Sequence, residues 1–317
     1  MANKKSVSVI ISAYNGEKQI ESAIKRVLSQ DYTGKIEIIV ADDGSKDNTA
    51  KIVRKFKNVR LVGDGINRGL AVNLNSGMKA AKNEIIIFMH QDLKPIRNDW
   101  ISSLISPFDD PEVICVTSSV VIPRKIWEKF EFWHKVFTVK ELKGVNYSIG
   151  GSNGMAYKRD FLIKVGGYNE TNFATAGEDC DLRYRIKDMG KMVNLKTLIH
   201  HLEGSHRSSL KKQFKKSFQY AEAHGVLTRM HGRKNAGLKV MALRTILFAS
   251  LLIPFVNIFG LLALLVFSSA SLVHIIPEIK DKRLFLFPFV NLIRNFYYLV
   301  GFWKGFILGK QSWRWNA

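Results

Sequence analysis

Cysteines and acidic residues are few in this 317-residue sequence. Its two cysteines, Cys115 and Cys180, are too few for a disulfide framework and indicate a reducing compartment. The 27 acidic residues against 48 Lys and Arg leave a net charge of +21, which favours nucleic acid, anionic lipid or a phosphorylated substrate as partner. Residues 1–5 run directly into an apolar strand that is too short for a signal-peptide core. We therefore expect the N-terminal part to lie in the cytoplasm.

Charge is absent from a long segment towards the C-terminal end. Residues 245–276 contain no Asp, Glu, Lys or Arg, which argues against a soluble nucleic-acid binder. A single helix of this length would measure about 48 Å, whereas the apolar core of a bilayer is about 30 Å thick. Pro254 and Asn257 stand where a hairpin could turn, so we predict a hairpin of two short spans over residues 240–276. One long tilted helix is the alternative.

The segments on either side also indicate a membrane. Residues 207–239 combine Lys and Arg with aromatic side chains, which predicts a basic amphipathic helix on anionic lipid headgroups. Residues 284–308 are apolar but interrupted by Arg294 and Lys304, and charges within a span are costly and usually functional. We predict either an interfacial or re-entrant helix here, or an Arg294 that faces a phosphate at the membrane surface. The predicted membrane region is residues 240–317.

The first part of the chain, residues 1–206, has a different pattern. Short apolar strands alternate with helical segments of about 10 to 15 residues, which predicts an α/β domain with a mostly parallel mixed sheet. Ligands bind such sheets beyond the carboxyl ends of the strands. The polar loops found there are Ser12–Gly16, Asp42–Ser45 and His90–Asp92. Their joint position on one edge favours a ligand site over the alternative of plain turns and helix caps.

An acidic stretch, Gly177–Arg183, follows further along the chain. Its carboxylates could supply the general base of a displacement reaction. On a helix, however, Asp179 and Asp181 each stand four residues before an arginine, which is also typical of a salt-bridged surface helix. Both interpretations remain open on the residues alone. A histidine pair, His200 and His201, follows a predicted strand 21 and 22 residues after Asp179.

These motifs occur together in an order that resembles a family-2 glycosyltransferase of the GT-A fold. The resemblance is carried by Val7–Gly16, the Asp42–Ser45 loop, Asn67-Arg68-Gly69 with Asn73 and Gly77, and Gly177–Leu182. It implies transfer of a sugar from a nucleotide-diphosphate donor, with inversion at the anomeric carbon and with Mg²⁺ or Mn²⁺ as cofactor.

The resemblance also implies roles for individual residues. Asp179 would be the general base, with Glu178 shaping the site, and Asp92 and His200 would hold the metal. His90 stands where the family's metal motif begins with Asp, which puts metal affinity or identity in question, and it could contact the ribose instead. The implied donor-nucleotide residues are Ser12, Tyr14, Asn15, Asp42, Asp43, Arg68, Asn73 and Gln91, and those of the acceptor and diphosphate loop are Gly151, Asn153, His201 and Arg207.

The expected protein is therefore a glycosyltransferase of the cell membrane, multi-pass, with catalytic residues 1–206 in the cytoplasm and a lipid-linked acceptor. Two alternatives stay open. In a polyprenyl-phosphate glycosyl synthase, the lipid phosphate itself would be the acceptor and no base would be needed. In a non-catalytic membrane scaffold, the donor site would be degenerate, as His90 suggests.

Overall fold

The computed structural model describes residues 5–143, 153–202, 209–232 and 236–312. The chain forms two compact units. The sheet unit comprises Met1–Trp127 with Glu141–Gly204 and Arg314–Ala317. The helical unit comprises Glu128–Lys140 with Ser205–Trp313.

The sheet unit is built on one eight-stranded sheet in the order β3-β2-β1-β4-β7-β6-β8-β5. The first four strands in this order pair in parallel, β6 pairs in parallel with β8, and the other neighbours are antiparallel. This confirms the predicted mixed α/β sheet. The strands are β1 Val7–Ala13, β2 Ile36–Asp42, β3 Val59–Val62, β4 Ile85–His90, β5 Leu93–Pro95, β6 Val113–Val121, β7 Met155–Lys158 and β8 Lys191–His201. The helices of this unit are α1 Ile20–Leu28, α2 Thr49–Val53, α3 Leu70–Ala80, α4 Trp100–Ile105, α5 Arg124–Trp127, α7 Arg159–Lys164 and α8 Glu178–Ile186.

Strand β1 lies inside the sheet and is buried along its whole length. Its alternate side chains enter two different apolar cores, with Val9 and Ile11 in one and Ile10 in the other. A strand that is covered on both faces needs apolar residues at every position, which is why this one shows no alternation in the sequence. Covered faces leave the ends of the strands as the place where polar loops can meet.

The carboxyl ends of β1, β2 and β4 lie side by side. Ser12 pairs with His90 across β1 and β4, and Ala13 pairs with Asp42 across β1 and β2. Antiparallel β7 begins next to the end of β4, where Met155 is opposite Phe88. The three polar loops predicted to share one edge therefore do so.

The helical unit contains α6 Phe132–Thr138, α9 Leu210–His231, α10 Ala236–Ser250, α11 Asn257–Ser269, α12 Leu272–Ile275 and α13 Phe287–Leu308. A break at residues 251–256 separates α10 from α11, where the turn near Pro254 was predicted. Helix α9 packs along α13. It was predicted as a headgroup-bound helix, but its residues Ala221–Ala223 and Gly225–Thr228 are buried, so much of this helix faces protein.

Glycines let α9 and α13 approach backbone to backbone. A Cβ on Gly305 would lie 1.9 Å from the carbonyl oxygen of Glu222, and one on Gly225 would lie 2.0 Å from that of Phe302. Backbone atoms cannot move aside as a flexible side chain can. The close spacing of these two helices therefore requires residues without side chains at positions 225 and 305.

We expect Gly305→Ala to separate α9 from α13. Alanine raises intrinsic helix propensity by about 1 kcal/mol, but overpacking at a rigid contact costs about 1–3 kcal/mol. The variant should therefore unfold at lower temperature than the wild type in detergent, as measured by circular dichroism. Val300→Ala, on an exposed position of the same helix, is the control and should change the midpoint little. An unchanged midpoint for Gly305→Ala would contradict the close contact.

Large apolar side chains are exposed on the helical unit. Leu252, Phe255 and Phe259 are 85%, 90% and 72% exposed. Among the described residues, two helices are long and apolar enough to cross a membrane, Asn257–Ile275 and Lys282–Leu308, and their most apolar stretches are only 22% and 28% buried. A core helix of a soluble protein would be mostly buried. The predicted multi-pass arrangement is not supported, because these helices qualify by length and composition only.

Candidate functional site

The loop after β1 is held by the side chain of Gln91. The backbone N–H of Tyr14 donates to Gln91 Oε1 at 3.0 Å, and Gln91 Nε2 donates to the carbonyl oxygen of Tyr14 at 2.9 Å. A Cβ on Gly16 would lie 1.9 Å from that Oε1, so any other residue here would require the Gln91 amide to move. Gln91, predicted to bind the donor nucleotide, thus positions the loop in which Tyr14 lies.

The same loop is joined to the one after β2. The N–H of Asn15 donates to Ser45 Oγ at 2.9 Å, and Asn15 Oδ1 accepts the N–H of Lys46 at 2.8 Å. The N–H of Gly16 donates to Thr49 Oγ1 at 2.7 Å. Asn15 has a φ of 48°, a left-handed conformation that asparagine adopts more readily than most residues. Two predicted donor loops therefore form one connected rim.

The two aspartates after β2 have different surroundings. Asp42 Oδ1 accepts hydrogen bonds from the N–H and the hydroxyl of Ser45, which makes a tight turn. Asp43 is buried, and its carboxylate accepts the N–H of Arg68 at 2.8 Å and that of Gly69 at 3.0 Å. Burial raises the pKa of Asp43, and these two N–H groups oppose that shift. Asp43 thus fixes the chain that leads into α3.

Two further predicted donor residues lie next to this point. Asn73 is buried on α3 and donates through Nδ2 to the carbonyl oxygen of Ala41 at 2.9 Å, which ties α3 to the end of β2. Arg68 is exposed, and its guanidinium pairs with Asp64. Asn73 and Arg68 belong to one motif in the sequence, but their surroundings differ in the structure. Asn73 makes a buried contact with the backbone, whereas Arg68 lies at the surface.

His90 hydrogen-bonds through Nδ1 to the hydroxyl of Ser12. Because the two residues are opposite each other in the β1–β4 ladder, this contact follows from strand register. His90 was left open as a metal ligand or a ribose contact. In the structure its ring helps to hold Ser12, a predicted nucleoside contact.

Asp92 contacts His201, with 3.2 Å between Oδ2 and Nε2. The two meet because β5 runs antiparallel to β8, where Leu93 is opposite His201 and Lys94 is opposite His200. Successive strand residues point to opposite faces, so only one histidine can share a face with Asp92. His200 was predicted to hold a metal together with Asp92, whereas in the structure it is His201 that contacts Asp92. Burial and the charge of Lys94 lower the pKa of His200.

Asp92 and His201 supply one carboxylate oxygen and one imidazole nitrogen. Within the described residues no group of three or more His, Cys, Asp or Glu could hold a metal. Mg²⁺ is commonly held by one or two carboxylates together with substrate phosphates. Among the described residues, the pair therefore fits a divalent metal whose coordination a donor diphosphate would complete.

Helix α8 begins at Gly177, whose φ of 91° is left-handed. Its acids have different surroundings. Asp181 is fully buried and accepts Arg185 Nε at 2.9 Å, so the predicted salt bridge at this spacing is present. Glu178 is also buried. Asp179 accepts the N–H of Cys180 at 2.7 Å and forms no ion pair within the described residues.

Burial raises the pKa of Asp179 above the ordinary range of an aspartate. The hydrogen bonds from Cys180 act in the opposite direction and are outweighed. A carboxylate with a raised pKa binds a proton more readily near neutral pH. This property suits a general base.

The segment before α8 touches the start of α3. Ala174 accepts the N–H of Leu70 at 3.0 Å, and a Cβ on Gly69, whose φ is 99°, would lie 2.5 Å from that carbonyl oxygen. Gly69 is also a donor to Asp43. Asp43, Gly69 and Ala174 therefore form a chain of contacts that brings the entry of α8 to the rim of the sheet. No hydrogen bond joins Asp179 to Asp92 in the part of the chain that the structure describes.

The remaining predicted loop is described in part. Asn153 is half-buried and precedes Gly154, whose N–H donates to the carbonyl oxygen of Phe88 at 2.9 Å near the end of β4. Asn153 thus lies at the same edge as the other polar loops. Gly151 and Arg207, predicted for the acceptor and diphosphate loop, lie outside the described residues.

Residues 8–166 match the family model described as glycosyl transferase family 2. The chain is 36% identical over 191 residues to the poly-beta-1,6-N-acetyl-D-glucosamine synthase of Staphylococcus epidermidis. The aligned residues make up 57% of this chain and 45% of that protein. It is 37% identical over 102 residues to the UDP-Glc:alpha-D-GlcNAc-diphosphoundecaprenol beta-1,3-glucosyltransferase WfaP of Escherichia coli, over 32% of this chain and 38% of that protein. The chain thus spans less than half the length of either relative.

Among solved structures, the chain is similar to the mannosyltransferase PcManGT of Pyrobaculum calidifontis in complex with GDP-Man and Mn²⁺. The TM-score is 0.61 and the identity 18%, over 98% of this chain and 89% of that one. At this identity the similarity shows the fold alone, which is the GT-A fold expected from the sequence. Because the family model matches half of the chain and the fold agrees with it, this protein belongs to glycosyl transferase family 2.

Proposed function

We propose that this protein transfers a sugar from a nucleotide-diphosphate donor to a lipid-linked acceptor, with inversion at the anomeric carbon. The observation that carries the proposal is the match to family 2 over the residues that form the polar rim of the sheet. The donor nucleotide would lie along the loops that contain Tyr14 and Asp42. Asp43 and Asn73, whose side chains bind backbone groups, would act by positioning these loops.

Asp179 would act as the general base. It would take the proton of the acceptor hydroxyl while that oxygen attacks the anomeric carbon. The bond from the sugar to the nucleoside diphosphate would break on the opposite side, and its electron pair would leave with the diphosphate. The raised pKa of Asp179 supports this role, because proton transfer is most effective when the pKa of the base is near the working pH.

Asp92 and His201 would hold a divalent metal together with the donor diphosphate. When bound, the metal would compensate the charge that develops on the departing diphosphate. Support for a metal comes from the pairing of these two side chains and from the Mn²⁺ in the structurally similar mannosyltransferase. His200, the residue favoured by the sequence, would lie outside this site.

The acceptor is proposed to be lipid-linked and the protein membrane-associated. The exposed apolar side chains of the helical unit support association with a membrane. The name of WfaP includes a diphosphoundecaprenol acceptor, which supports a lipid-linked acceptor for a similar domain. The N-terminal part would remain on the cytoplasmic side.

A donor and acceptor screen tests the proposal. The full chain in detergent would be incubated with UDP- and GDP-sugars, with and without Mn²⁺ or Mg²⁺. The acceptors would be a polyprenyl diphosphate sugar and a polyprenyl phosphate. We expect metal-dependent transfer to the hydroxyl of the lipid-linked sugar. Transfer only to the polyprenyl phosphate would favour a glycosyl phosphate synthase, and donor binding without any transfer would favour a scaffold.

The two adjacent histidines give a matched test of the metal site. We expect His201→Ala to lower transfer about tenfold to a hundredfold and to raise the Mn²⁺ concentration needed for half-maximal activity. His200→Ala should change both quantities little, because this side chain points to the other face of β8. Initial rates measured over a Mn²⁺ titration compare the two. Equal effects, or a larger effect for His200→Ala, would show that Asp92 and His201 do not hold the metal.

A further inference from the structure

A cavity of about 490 Å³ lies within the helical unit, between α9, α10 and α13. Its walls include the side chains of Arg244 and Arg294, together with His224 and Tyr298. No acidic side chain lines it among the described residues. Two cations that share a cavity without an acid suggest a binding place for an anion.

Arg244 is held among aromatic rings. Its Cζ lies 5.1 Å from the ring centres of both Phe267 and Tyr298, and its Nε is buried without a hydrogen-bond partner. Within the described residues it forms no ion pair with a carboxylate. A buried polar group without a partner is costly, so the protein atoms around Arg244 do not fully satisfy its guanidinium.

The two cations that interrupt the apolar helix α13 differ in how they are neutralised. Lys304 lies 3.4 Å from Oε1 of Glu222, which is fully buried and also accepts the hydroxyl of Ser312 at 2.6 Å. Arg294 lies over the ring of Phe137 at 4.6 Å and has no carboxylate partner within the described residues. Among the described residues, Glu222 supplies the counter-ion of Lys304, whereas no carboxylate supplies one for Arg294.

We infer that this cavity binds the phosphate group of an anionic ligand, with Arg244 and Arg294 donating hydrogen bonds to its oxygens. Guanidinium groups match phosphate in geometry and keep their charge at any physiological pH. The inference rests on the proposed function and deepens it, because a lipid-linked acceptor carries phosphate where its headgroup meets its apolar chain.

The surroundings of the cavity favour a phosphate that is borne by a lipid. Val240 lines it, and Phe296 and Val300 on the adjoining turns of α13 are exposed. The span Lys282–Leu308, which contains Arg294, is apolar enough to lie in a membrane. A lipid could therefore place its phosphate between the two arginines and its chain along exposed apolar surface.

Binding assays on the full chain in detergent test this assignment. The probes are a fluorescent polyprenyl diphosphate, the same polyprenol without phosphate, and inorganic diphosphate. We expect the polyprenyl diphosphate to bind most tightly. Arg244→Gln and Arg294→Gln should each weaken it about tenfold to a hundredfold, while Arg244→Lys should retain more affinity than Arg244→Gln. Arg283→Gln is the matched control, because Arg283 is exposed and already paired with Asp281 at 2.7 Å, and it should change binding less than about twofold.

Thermal unfolding of each variant shows whether it is folded, and binding of the nucleotide sugar is measured on the same samples. Unchanged lipid binding in the folded double variant, or equally tight binding of the polyprenol, would overturn the inference. Equal affinity for inorganic diphosphate, with the same loss in both Gln variants, would assign the site to a soluble anion instead of a lipid. If the wild type bound the lipid but bound no nucleotide sugar, the result would count against the proposed function and not against this cavity.

Discussion

Replacing Asp179 by asparagine is expected to lower sugar transfer about a hundredfold to ten-thousandfold while leaving the protein folded. Asparagine keeps the size of the side chain and removes its ability to take a proton. Initial rates with saturating donor and acceptor measure the effect. In the wild type, activity should rise with pH as the half-buried Asp179 loses its proton, and the residual activity of the variant should lack this rise.

The same substitution is expected to stabilise the fold at neutral pH. Burial raises the pKa of Asp179 in the folded protein, so folding favours its protonated form. The stability that protonated Asp179 contributes to the folded state is fully present below the unfolded pKa of about 3.9. It is lost as the pH rises through the raised pKa of the folded state. The asparagine variant, which has no charge to bury, should therefore resist urea better at pH 7, and the difference should shrink towards pH 3.

Asp188→Asn is the control for both measurements. Asp188 follows α8, and its side chain is 87% exposed and lies 4.0 Å from the Nζ of Lys187. A surface pair of this kind contributes about 0–1 kcal/mol, so neither transfer nor stability should change much. If Asp179→Asn kept the wild-type rate, the assignment of the base would be wrong.

Replacing Asp181, two residues further along α8, is expected to have a large effect of a different kind. Asp181 is fully buried and paired with Arg185, whose other two nitrogens donate to the carbonyl oxygens of Val165 at 2.7 Å and Gly167 at 2.6 Å. Removing one partner of a buried pair costs about 3–5 kcal/mol. Because the side chain of Arg185 is 29% exposed, we expect Asp181→Asn to lower the free energy of unfolding by about 3 kcal/mol.

Urea unfolding at pH 7, with Asp188→Asn as the same control, measures this loss. The folded fraction of Asp181→Asn should retain transfer activity close to that of the wild type, since its carboxylate binds Arg185 and is not proposed to touch substrate. A loss below 1 kcal/mol would contradict the importance of the buried pair. A large loss of activity in the folded fraction would instead assign Asp181 a direct part in the reaction.

Much of the sheet unit could be predicted from its sequence. The run of buried residues in β1 and the strand–helix alternation determine a covered sheet, and the polar residues after β1, β2 and β4 then have to share an edge. Which of the two adjacent histidines contacts Asp92 could not be predicted. It depends on the register of β5 against β8, and a shift of one residue would exchange His200 for His201.

The helical unit was less accessible to prediction. Its apolar composition indicated a membrane, and Arg294 was recognised as a candidate for contact with phosphate. Arg244 gave no signal of its own, because it lies within a segment that holds many other cations. The close packing of α9 on α13 through Gly225 and Gly305 had no local pattern that would distinguish it from a helix on headgroups.

By itself, the sequence determined the family, the covered α/β sheet and the polar loops that meet at its edge, because burial and chain order are encoded in local patterns of residues. Only the tertiary structure decided the partner of each polar side chain. It pairs Asp92 with His201, Asp181 with Arg185 and Lys304 with Glu222, and it leaves Arg244 and Arg294 without a carboxylate within the described residues. Most of these partners are distant in sequence, and strand register and helix packing decide whether their side chains meet.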